Sequence, residues 1–98
     1  MFVNIIKSYR NVVAICDSDI IGKIFEEGDF QLNVKESFYK GEELNEEDVL
    51  KIIKDMSKED ASFNIIGEKS VNTAIRAGII SKENVKEIQK IPFSMTFM

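Results

Sequence analysis

Two short apolar runs open the chain, Phe2 to Lys7 and Asn11 to Asp17, with Ser8, Tyr9 and Arg10 between them. Being apolar at nearly every position, they predict a β-hairpin covered on both faces. Asp17-Ser18-Asp19 offers caps for one helical turn through Ile20 and Ile21, which Gly22 can stop at positive φ. A second hairpin is expected from Lys23 to Glu26 and from Phe30 to Val34, turning at Glu27-Gly28-Asp29. Phe30, Leu32 and Val34 alternate with Gln31 and Asn33, as in a half-buried strand. Residues 37–41 read as a loop or short edge segment.

The period then lengthens. Asn45 can cap a helix whose positive end is complemented by Glu46, Glu47 and Asp48, and Val49, Ile52, Ile53 and Met56 form its apolar stripe. A second helix is predicted from about Gly67 to Ala77, with Val71, Ala74 and Ile75 inward and Gly78 just past its end. Ser81 can cap a further turn at Lys82 to Asn84. In the tail, Phe93, Met95 and Phe97 alternate with Ser94 and Thr96, and Pro92 marks either the start of that strand or an unpaired edge position. A return of this strand to the N-terminal sheet would close the domain. Two hairpins, two main helices and a C-terminal strand make one small α+β domain over residues 1–98.

Composition narrows the chemistry. The 98 residues are 44% apolar and 31% charged, which describes a globular protein of one domain. There is no histidine, so imidazole bases and HExxH metal sites are excluded. The single cysteine, Cys16, has no intrachain partner, and a lone thiol fits a reducing cytoplasm. Beside Asp17 and without a base to generate its thiolate, it reads as a small core residue. No run approaches the roughly 20 apolar residues that span a bilayer, so no membrane is implied. The net charge of −4 is unevenly spread: residues 26–48 hold nine of the 17 acidic side chains and two of the 13 basic ones. The remainder leaves room for a basic face.

Motif by motif, little catalytic chemistry survives. Asp17 and Asp19 could give a divalent cation oxygen ligands, but two carboxylates fall short of the number such an ion takes, so strand end and helix cap is the favoured reading and no metal is assigned. Gly22-Lys23 resembles the end of a phosphate loop, but that motif requires glycine where this chain has Asp17. The carboxylates at 42–48 lack the EF-hand ladder. Lys7, Tyr9 and Arg10 form a basic, aromatic loop in which Tyr9 could stack on an unpaired base while the cations meet phosphates. Phe38 and Tyr39 could form a ligand platform, although one of two adjacent aromatics is usually core.

The run Cys16-Asp17, Gly22-Lys23, Phe25 to Gly28, Leu32, Val34, Phe38-Tyr39 and Gly41 resembles the archaeal family Domain of Unknown Function 424. Asn64, Ile66-Gly67-Glu68, Val71, Ala74, Gly78 and Pro92 continue the resemblance in order, over nearly the whole chain. It implies one complete domain, and a hint of RNA binding or of work in translation. Where the family tends to have a histidine near the proline, this chain has Lys90, Pro92 and Phe93, so a role for that histidine does not transfer. The polar positions that the resemblance singles out are Asp17, Lys23, Tyr39, Asn64 and Glu68.

Two functions are therefore expected in rank order. The first is a non-catalytic cytoplasmic accessory protein that binds RNA or a ribonucleoprotein through Lys7, Tyr9 and Arg10, without a cofactor. The second is a protein-interaction module, docking its acidic segment 26–48 on a basic partner or forming a homodimer through its C-terminal strand.

Overall fold

The computed structural model describes residues 1–96. The first hairpin forms as expected, with β1 (Phe2–Ile6) antiparallel to β2 (Val12–Cys16) and Ile5 opposite Val13. Beside β2 lies a strand that the periodicity did not reveal, β6 (Ser62–Ile66), and the two run parallel with Ile15 opposite Ile65. A parallel pair needs a crossover, here supplied by the long connection from Asp17 to Ala61. With the further strands β5 (Glu42–Glu43), β7 (Lys86–Ile88) and β8 (Ile91–Thr96), the full sheet has the order β5-β1-β2-β6-β8-β7. Its edges are β5 and β7, both short.

Helix α2 (Glu46–Ser57) starts where Asn45 Oδ1 accepts a hydrogen bond from the Asp48 N–H at 2.9 Å. With α3 (Glu68–Arg76) it covers one face of the sheet. Val13, Ile15, Phe63 and Ile65 meet Val49, Ile53, Val71 and Ala74 in that layer. Arg76 and Glu46 join the two helices by an ion pair.

The opposite face is covered by a smaller layer. Strands β3 (Ile24–Glu27) and β4 (Phe30–Asn33) form the second hairpin as a separate two-stranded sheet. Its Leu32, with Val34 and Tyr39, closes over Ala14, Cys16, Ile66 and Ile88. The expected face of Phe30, Leu32 and Val34 is buried at only two of its three positions: Phe30 is 72% exposed. Residues 37–41 are a loop only in part, because Glu36–Tyr39 form a single helical turn, α1, before β5 pairs with β1.

Strand β8 (Ile91–Thr96) returns to the sheet of the first hairpin, where it lies between β6 and β7. Its pattern, however, runs opposite to the simple reading. Ser94 is buried on the helical side, where its hydroxyl donates to the Asn84 carbonyl at 3.0 Å, whereas Met95 is 53% exposed. Phe97 lies outside the described residues. Because β8 is flanked on both sides, a homodimer through it would have only its outer side at residues 94–96, beyond β7, to pair with. Pro92 sits inside the strand, not at an edge. Its carbonyl accepts from Gly67 N–H at 2.8 Å, while the Gly67 carbonyl is taken by Val71 N–H in α3. The missing proline donor thus falls where no acceptor is waiting.

Candidate functional site

The C-terminal ends of the parallel strands β2 and β6 meet the N-terminus of α3, the usual position of a ligand in a sheet of this kind. Here the chain fills that position itself. Asp17, 8% exposed, accepts from Ser70 N–H at 2.8 Å and from the Ser70 hydroxyl at 2.7 Å through Oδ1. Its Oδ2 accepts from Lys69 N–H at 3.1 Å. The carboxylate expected to cap the turn at residues 18–20 makes no side-chain cap there and instead caps α3. Gly67, at φ 112°, allows the approach, since a Cβ on it would lie 2.4 Å from the Asp17 carboxyl carbon. The Asp17–Asp19 pair therefore splits into one hydrogen-bonded, buried carboxylate and one exposed one. Among the described residues no group of three or more His, Cys, Asp or Glu side chains could hold a metal.

Cys16 and Tyr39 lie under the second layer. Burial, then the neighbouring Asp17, pushes the Cys16 thiol up to about 12. Burial, then Cys16, pushes the Tyr39 hydroxyl up to about 12 as well. Tyr39 packs edge-on against Phe38, with ring centroids 5.0 Å apart, so the paired aromatics serve packing and not a platform. Asn64 is half-buried on the same face of the sheet, opposite Ala14 and Met95. Lys23 is exposed, and its backbone ties the turn at residues 18–20 to Val34.

Lys7, Tyr9 and Arg10 lie together in the exposed β1–β2 loop, at the far end of β2 from Asp17, roughly 17 Å away at the rise of an extended strand. Tyr9 is fully exposed. A depression of ≈ 310 Å³ beside it is lined by Tyr9, Arg10 and Asn11 together with Glu59 and Asp60, so the loop is not uniformly basic. The acidic segment 26–48 is distributed over the β3–β4 hairpin, α1, β5 and the start of α2.

A concavity of ≈ 520 Å³ lies elsewhere, between α3 and the edge strand β7. Val71, Ile75 and Val85 supply apolar lining, and Glu68 is the one polar family position that reaches it. Lys82 and Lys90 stand before and after β7 in the chain and also line the groove. Sequence reading missed this surface because β7 is three residues long and carries one apolar side chain, too little for a period.

No helix among the described residues is long and apolar enough to cross a membrane. A crystal structure of an uncharacterized conserved protein from Methanopyrus kandleri has the same fold, with a TM-score of 0.88 and 22% identity over 98% of this chain and 89% of that one. Comparison with curated proteins returns no match. The family model described as a protein of unknown function, DUF424, matches residues 6–98, and the chain belongs to that family.

Proposed function

We propose that the protein acts by binding rather than by catalysis, and that RNA or a ribonucleoprotein is recognised at the β1–β2 loop. The observation that carries this reading is Tyr9, an aromatic ring left fully exposed between Lys7 and Arg10. A ring so placed gives an unpaired base a stacking surface, and the two cations lie within two residues of it. The groups that could instead drive a reaction are engaged or inaccessible: Asp17 is held by three donors and the Cys16 thiol is buried and protonated.

Filter binding to tRNA and ribosomal RNA tests the proposal. Two cations on single-stranded phosphates give a log–log salt slope of about −1.4. Tyr9→Ala is expected to weaken binding roughly five-fold or more, the range of one lost base stack. Binding that ignores salt, or that survives Tyr9→Ala combined with Arg10→Glu, contradicts the reading. A second reading, a module for protein partners, is favoured by a different observation, the exposed Phe30 beside the β7 edge.

A further inference from the structure

Strand β7 ends the main sheet, and its pairing with β8 fixes which backbone groups face outward. Gln89 and Lys90 form a two-residue turn with φ of 50° and 65°, so Ile88 and Ile91 are the first hydrogen-bonded pair. Alternation then turns the N–H and C=O of Glu87 away from β8. Pro92, opposite Glu87, directs its carbonyl to Gly67, as that alternation requires. The carbonyl of Val85 faces outward on the same alternation, while its N–H is held by Lys82. Among the described residues no hydrogen bond occupies the outward groups of Val85 and Glu87.

Both sides of this edge are prepared for side chains. On the helical side lies the ≈ 520 Å³ groove, with an apolar floor of Val71, Ile75 and Val85. Glu68 and Glu87 both line it at the level of Pro92, because Pro92 pairs with Glu87 and bonds to Gly67. On the other side stands the β3–β4 hairpin. Its tip is tied to Gln89, whose N–H donates to Glu27 Oε1 at 2.9 Å and whose side chain donates to the Glu26 carbonyl at 2.6 Å. Leu32 on the inner face of the hairpin is 4% exposed and Phe30 on the same face is 72% exposed, so the hairpin outruns the sheet beside β7.

A second copy of the chain is the wrong occupant. Two-fold antiparallel pairing of β7 with itself that keeps matching faces sets Glu87 against Glu87, Lys86 against Lys86 or, when centred on Ile88, Lys86 against Lys90, and like charges disfavour all three. We propose that the β7 edge accepts an extended segment of a different protein as a further strand, with a basic side chain opposite Glu87 and an apolar neighbour on Phe30. This surface shares no residue with the RNA reading and stands or falls without it.

The test is an NMR titration of the whole chain with three capped nonapeptides of alternating Val and Thr, carrying Lys, Glu or Thr at the centre. The Lys-centred peptide is expected to slow exchange of the Glu87 amide about ten-fold and to bind about five-fold more tightly than the Glu-centred one. Glu87→Lys, a change at an exposed position, reverses that order, and Phe30→Ser weakens all three about three-fold. The proposal is overturned if the Glu87 amide exchanges unchanged at about 1 mM of every peptide, the scale of a weak encounter. Affinities that ignore the central residue, or protection of that amide by an oligouridylate and by none of the peptides, overturn it too.

Discussion

Asp17 and Gly67 share one small volume, and their identities depend on each other. Gly67 holds a φ of 112° that side chains rarely adopt, and a Cβ there would strike the carboxylate. Gly67→Ala is therefore expected to cost at least about 2 kcal/mol, combining backbone strain with the clash. Urea denaturation measures it, and a loss under about 0.5 kcal/mol, the scale of an ordinary surface change, contradicts it. The two causes separate in a double-mutant cycle. In an Asp17→Ala background the clash is gone and only the strain remains, so the penalty for Gly67→Ala falls. Asp17 also marks the limit of local reading. Its carboxylate looked like a cap for the turn that follows it, because caps are normally local. The donors it serves are at Lys69 and Ser70, on a helix brought close only by the parallel pairing of β2 and β6.

At the scale of elements, legibility followed period and length. Helix α2 was readable from its cap and stripe, and Asn45 behaves as a cap should. Asn45→Ala is expected to remove about 1 kcal/mol, a fall in melting temperature of about 4–8 °C for a domain of this size. Calorimetry checks it, and Asn45→Asp, which keeps an acceptor, should retain most of the stability. The first two hairpins were readable for the same reason, an apolar run broken by turn residues. Strand β6 was not, although it is central to the sheet. Ser62-Phe63-Asn64-Ile65-Ile66 is buried or half-buried throughout, so it shows no outward polar row, and five residues are too few to separate strand from helix. Strand β7 failed by brevity, and with it went the groove and the edge. The exposure of Phe30 was equally hidden, since alternation tells which residues share a face but not where the surface beneath them ends. Of the candidate sites, the β1–β2 loop was legible because every residue it needs is adjacent in sequence.

The molecule as a whole has two unequal cores divided by one sheet. The helical side is thick, while the other side depends on a hairpin and one helical turn to keep Cys16 and Tyr39 from water. That asymmetry has a pH signature. In the unfolded chain the thiol titrates near 9.0 and the phenol near 10.0, whereas in the folded protein both are pushed up to about 12, chiefly by burial. The folded state thus keeps protons that the unfolded chain releases. Stability from these two groups is fully present below pH 9 and is lost progressively as pH rises through 12. Each group contributes a slope of at most about 1.4 kcal/mol per pH unit within its window. Urea midpoints measured at intervals from pH 8 upward should fall beyond pH 9, and Cys16→Ala, which removes the earlier titration, should delay the fall. In a Tyr9→Phe background, which leaves Tyr39 as the remaining tyrosine, thiolate and phenolate absorbance should appear together with the loss of tertiary signal, because ionising either buried group requires the thin layer to open. A folded protein whose thiol ionises near pH 9 with an unchanged midpoint would show that the hairpin opens without unfolding the sheet. The second core would then be a movable cover and not part of the cooperative unit.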